Sequence, residues 1–161
     1  MDEPRSDWTT AADVLTHMVA NRPEVFEPKE RWAMDWYYPV LTGCLTGEAA
    51  KARLADGWEL FAMDGKGIRC VSDEPWVTAS ETAECSIAHA VLGDLSTATD
   101  LLAWTRPHRN ADGSYTTGIV HPSLESFPPE ETSAYTAAAV ILAADAITGA
   151  SPGSGIFTDL G

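Results

Sequence analysis

Glu81-Thr-Ala-Glu-Cys-Ser-Ile-Ala-His89 reads as a helix that opens on acids and turns apolar, and its pattern returns twice. The other copies are Glu30-Arg-Trp-Ala-Met-Asp-Trp-Tyr-Tyr38 and Glu131-Thr-Ser-Ala-Tyr-Thr-Ala-Ala-Ala139, at offsets of 51 and 50 residues. Each has an acid first, a bulky or soft side chain four positions on (Met34, Cys85, Tyr135), then a polar one (Asp35, Ser86, Thr136), then an apolar run. Fixed-period self-similarity of this length is the mark of stacked helical units. Pro28, the Pro128-Pro129 pair and the capping-box pattern of Thr78 with Glu81 are start signals for the three helices. The run Ala137 to Ala144 is apolar all round, as a helix surrounded by others requires.

Between these segments lie helices with one apolar side: Trp8 to Val19, Gly47 to Phe61 and Leu95 to Trp104. The order outer, inner, three times over predicts an all-α fold, an α/α toroid in which inner helices are wrapped by outer ones. Three helical hairpins make half of a six-hairpin barrel. The links into the inner helices are long. Residues 62–77 contain Gly65-Lys-Gly67-Ile-Arg-Cys-Val71, a short strand or hairpin, and residues 106–127 contain the turn signal Asn110-Ala-Asp-Gly-Ser-Tyr115. Long loops in a compact domain are usually functional, so a cavity mouth is expected at the N-terminal ends of the inner helices. The whole chain, 1–161, is read as one half-barrel domain with flexible termini at 1–6 and 158–161.

The composition, 45% hydrophobic and 21% charged over 161 residues, is that of a folded chain with a sizeable core. A net charge of −14 without a Lys/Arg cluster repels a phosphate backbone, which excludes nucleic acid as a partner. After Arg109 there are six acids and no Lys or Arg, either a solvated face or a cavity that favours cations. Three cysteines without CxxC spacing fit a reducing compartment. No basic segment followed by an apolar core opens the chain, and the Ala-rich stretch from Thr132 to Thr148 is interrupted by Asp145. A cytoplasmic protein without a transmembrane segment is expected.

With the hairpins, Asp112-Gly-Ser-Tyr115 and Glu131-Thr-Ser-Ala-Tyr135 set side by side, the chain resembles the α/α toroids of the terpenoid cyclase and protein prenyltransferase superfamily. It looks most like the C-terminal half of actinobacterial prenyltransferase-like proteins, through Arg31-Trp-Ala-Met-Asp-Trp-Tyr-Tyr-Pro-Val-Leu41, Val71-Ser-Asp-Glu-Pro-Trp-Val77 and Gly153-Ser-Gly-Ile-Phe157, over about residues 25 to 157. The resemblance implies a transferase- or cyclase-type cavity for an isoprenoid. It also implies that a second copy (a homodimer) or a missing N-terminal half completes the ring. The Asp-x-Asp-Asp acid of the cyclases is absent, and the Asp, Cys and His that hold zinc in the prenyltransferases cannot be mapped. No metal and no cofactor is expected.

The residues themselves offer carboxylates and aromatics at one end of the fold. Asp35, Glu81, Glu84 and Glu131 are the candidate catalytic acids. Like charges in an apolar cavity drive their pKa values apart, which suits acid and base work, whereas acids in first helical turns are also favoured by the macrodipole alone. Asp35, a turn deeper and flanked by aromatics, is the leading candidate because burial without function would be costly. Trp32, Trp36, Tyr37, Trp76, Tyr115 and Tyr135, with Asp73, Glu74 and His121 from the long loops, are candidate substrate contacts or, for the aromatics, core packing. Cys85 and His89 share a helix face at a spacing that can chelate a metal, but a buried thiol and a bonded imidazole satisfy it equally. Three functions follow: isoprenoid chemistry in a dry aromatic pocket, glycoside hydrolysis by paired carboxylates in an open groove with polar groups between the rings, or a non-catalytic helical scaffold. All but the last make the partner a small molecule, isoprenoid or sugar.

Overall fold

A computed structural model describes residues 6–159. Among these residues seven α-helices run in chain order: α1 Ser6–Asn21, α2 Ala33–Leu41, α3 Gly47–Phe61, α4 Ala79–Val91, α5 Leu95–Trp104, α6 Ala134–Thr148 and the short α7 Gly155–Thr158. The long links supply five strands: β1 Ala62–Met63, β2 Gly67–Arg69, β3 Trp76–Thr78, β4 Gly118–Val120 and β5 Glu125–Ser126. They form one antiparallel sheet in the order β1-β2-β3-β4-β5.

That sheet corrects the all-α expectation. The molecule is mixed α/β, mainly helical with a five-stranded antiparallel sheet, not half of an α/α toroid. The sequence marks a short strand or hairpin in 62–77 and a hairpin-turn signal in 106–127, without joining the two. They are joined because Trp76, Val77 and Thr78 pair with Val120, Ile119 and Gly118, which satisfies backbone groups that two isolated loops would leave open.

The helices are arranged around α4, twelve of whose thirteen residues are buried. It packs against α2, α5 and α6, with β2 and β3 across its N-terminal half. The apolar stripes of the neighbours explain this: α2 gives Trp36, Tyr37 and Val40, α3 gives Leu54 and Phe61, α5 gives Ala98 and Leu101, and α6 gives Ala139, Val140 and Ala143. Tyr37, Ile87, Leu101 and Val140 belong to the core where a toroid would keep an axial cavity. Nor is α6 an enclosed helix. Its uniform apolarity left no polar face to read, yet Ile141 is 68% exposed and Leu142 is exposed as well.

The start signals also differ in detail. Glu30 and Glu131 precede their helices by three residues, and only Glu81 is helical. Pro28 and the Pro128-Pro129 pair lie in the preceding loops, not in first turns. Thr78 is the N-cap of α4, but its hydroxyl donates to the Glu81 side chain instead of capping the backbone. The links Thr46 to α3 and Asp94 to α5 are short, and Asp94 Oδ1 accepts the amide of Thr97 at 3.2 Å. The expectation of flexible termini falls mostly on residues 1–5 and 160–161, outside the described residues; Ser6 begins α1 and Thr158 closes α7. Among the described residues no helix is long and apolar enough to cross a membrane.

Candidate active site

Glu81 and Glu84 are one helical turn apart on α4, so their side chains leave the same face. Their surroundings differ. Glu81, 8% exposed, has both oxygens taken: Oε2 accepts from the hydroxyls of Thr78 and, at 2.7 Å, Ser80, and Oε1 accepts from the Cys70 thiol at 3.4 Å. Burial, and then the charge of Glu81, push that thiol up to about 12. Glu81 is thereby held in place by three donors.

Glu84, 9% exposed, is gripped from two other helices. Tyr37 of α2 donates its hydroxyl to Oε2 at 2.6 Å, and Tyr135 at the start of α6 donates to Oε1. A third phenol, Tyr38, lies with its oxygen 3.5 Å from that of Tyr135. Burial raises the Glu84 pKa, the Tyr135 and Tyr37 hydrogen bonds oppose it, and the charge of Glu81 adds to the rise, leaving the carboxyl above its ordinary value. Burial and the same carboxylate push the phenols of Tyr37 and Tyr135 upward, so both remain donors. The tyrosines were expected as substrate contacts; here they hold a carboxyl group. Tyr135 is nonetheless 57% exposed, so the cluster is reached from solvent on its side.

Beside this cluster runs an open groove of about 1510 Å³ between the end of α1, the 23–32 segment and α2. Its lining mixes charge (Glu24, Glu27, Lys29, Glu30, Arg31, Asp35, Arg53) with apolar faces (Phe26, Trp32, Met34, Tyr38, Leu45). A dry aromatic pocket would be built otherwise. Asp35 is on the wall of this groove, partly exposed, with the Arg53 guanidinium 3.7 Å from its carboxylate. The burial expected of it does not occur, because Arg53 of α3 crosses to α2 and donates to the carbonyls of Asp35 and Trp36 at 2.9 and 3.1 Å.

The remaining candidates scatter. Trp36 is core, stacked on Phe61 with its Nε1 donating to the Arg53 carbonyl. Trp76 braces the sheet, edge-on to Phe127 and donating to its carbonyl. Tyr115 packs on the core, and His121 donates its amide to the Pro75 carbonyl. Glu131 is exposed and accepts from the Thr117 hydroxyl at 2.8 Å, while Glu74 is exposed in the loop before β3. Asp73 pairs with Arg31 at 2.9 Å, and Trp32 lies in the groove. Cys85 and His89 part company: the thiol is in the core, and the imidazole Nδ1 bonds Asp94 at 3.0 Å. No set of three His, Cys, Asp or Glu side chains suited to a metal is assembled among the described residues. Pro23, Glu24, Phe26 and Glu27, which also line the groove, were not among the sequence candidates, since no periodic pattern marks them.

No protein-family model matches the chain. The expected kinship with terpenoid cyclases and prenyltransferases is overturned by a curated relative. Over 157 residues, 98% of its length, the chain is 48% identical to a protein of Mycolicibacterium hassiacum named MMP endo-(1,4)-3-O-methyl-alpha-D-mannosidase. Nothing points to the cyclase superfamily. The chain spans 44% of that relative's length, so what it resembles is somewhat less than half of a protein named for cutting a methylated mannose chain.

Proposed function

We propose that this chain forms part of the active site of a glycoside hydrolase that cuts (1,4) bonds within chains of 3-O-methylated α-mannose, with Glu84 as the proton donor. The observation that carries the reading is the clamp of Tyr37 and Tyr135 on a buried carboxyl whose pKa lies above the ordinary value. A general acid must keep its proton near neutral pH, and glycosidases obtain this by burial and a neighbouring charge. The mixed lining of the groove suits a polar polymer with apolar faces, and its openness suits attack within a chain instead of at an end.

In the reaction, Glu84 gives its proton to the glycosidic oxygen as the C1–O bond breaks. Water adds at C1 and releases its proton to an ionised base. Asp35, partly exposed on the wall of the groove beside the Glu84 cluster, is the candidate for that base. Glu81, with both oxygens committed, holds the field that favours protonated Glu84 and does not touch substrate. The relative's name and the ionic groove speak for sugar over isoprenoid.

The test is Glu84→Gln, assayed by chromatography of products from a 3-O-methylmannose oligosaccharide. Loss of a general acid lowers kcat by about 10² to 10⁴-fold. Hydrolysis by the variant at the unsubstituted rate would refute the assignment.

A further inference from the structure

Of the six tryptophans, Trp32 alone lines the groove, and it is held there without being buried. Its amide donates to the Lys29 carbonyl at 2.8 Å, its backbone bridges to Val71, and the neighbouring amides tie the same two segments together, Ala33 to the Cys70 carbonyl at 3.0 Å and Ser72 to the Arg31 carbonyl at 2.9 Å. The residue is 41% exposed. The Arg31 guanidinium lies over the indole, 5.4 Å from its centroid, and Asp73 of the loop before β3 fixes that guanidinium at 2.9 Å. An aromatic surface fixed in position and left in solvent costs free energy unless something covers it.

We propose that Trp32 is the stacking platform of a remote sugar subsite, selective for O-methylated mannose, and that Asp73 is a positioning residue that acts through Arg31. The proposal rests on the glycosidase reading above and adds the recognition of the substrate to it. Trp32 and Tyr38 bracket most of α2, which at 1.5 Å per residue separates them by about 9 Å along the groove. Tyr38 adjoins the phenol that bonds Glu84, so a sugar on Trp32 is not the one whose bond is broken. The same groove is lined by the apolar faces of Phe26, Pro28 and Met34. A methyl ether gains by covering those faces, whereas a free hydroxyl there would lose its water without finding a partner. Cation attraction from Arg31 polarises the ring and keeps its plane fixed.

The experiment is titration calorimetry on the full chain carrying Glu84→Gln, with 3-O-methylated and unmethylated α-(1,4)-mannose oligosaccharides as probes. Trp32→Ala is expected to weaken binding of the methylated oligosaccharide about tenfold and to abolish the preference over the unmethylated one, which is worth about fourfold for each methyl buried. Trp32→Phe, which keeps an aromatic face, is expected to retain most of the binding and shows that the loss is not misfolding. In the otherwise unsubstituted chain, Asp73→Asn should raise KM more for long oligosaccharides than for a disaccharide, and act on KM more than on kcat. Binding by Trp32→Ala equal to the unsubstituted ring, or weakened equally for both probes, overturns the proposal. So does an Asp73→Asn defect that is the same for short and long substrates. Because the Trp32 variants are read by binding without turnover, their outcomes are independent of whether Glu84 is the acid.

Discussion

Glu84 is under opposed influences that can be separated. Burial and Glu81 favour its neutral form, while Tyr37 and Tyr135 favour its charged form, and the first pair prevails. The sign follows. With a pKa above the unperturbed value of about 4.3, the carboxyl keeps its proton as pH rises past that value and loses it higher up. The acid-dependent rate therefore falls on the alkaline side, and stability moves the same way: full below the unfolded pKa, lost as pH rises through the folded one. Tyr135→Phe removes a hydrogen bond that favours the charged form, so the falling limb of kcat/KM should move to higher pH in that variant. A pH–rate profile measures it, and a limb at the ordinary carboxylate value or unmoved by Tyr135→Phe contradicts the account. That Glu81 and Glu84 lie in the first turns of one helix was legible from the sequence. The phenols that distinguish one acid from the other were not, because they arrive from 47 and 51 residues away.

Among the elements, the sheet is held at one close approach. A Cβ at Gly118 would lie 2.1 Å from the Trp76 indole nitrogen, and that ring is already fixed by Phe127. Gly118→Ala should therefore force β3 and β4 apart and destabilise the fold by about 1 to 3 kcal/mol, read as a lower urea midpoint. An unchanged midpoint would mean the ring moves freely. The helices were legible because period 3.6 repeats over ten residues or more: Gly47–Phe61 and Leu95–Trp104 fall where their apolar stripes predict. The strands, two or three residues each, are too short for an alternation to declare itself, and β3 meets β4 across forty or more residues of sequence. Local pattern does not carry such pairing, which is why the fold class was misread.

For the molecule as a whole, periodicity told which side of each helix is apolar but not what lies against it. The same helices serve a closed ring or a bundle about one central helix, and α4, with side chains such as Thr82, Ser86 and Ala88 buried on successive faces, chooses the second. The three free thiols are distributed unevenly by this architecture. Cys85 is sealed in the core with its thiol pushed far up, Cys70 is bonded to Glu81 and raised to about 12, and Cys44 is half-buried on the lining of the groove. Thiolate is the reactive species, so a maleimide dye added to the native protein should couple once, at Cys44. The chain thus carries a natural attachment point for an optical reporter at the rim of the groove, and a glycan entering from solution should change its emission without any cysteine being engineered.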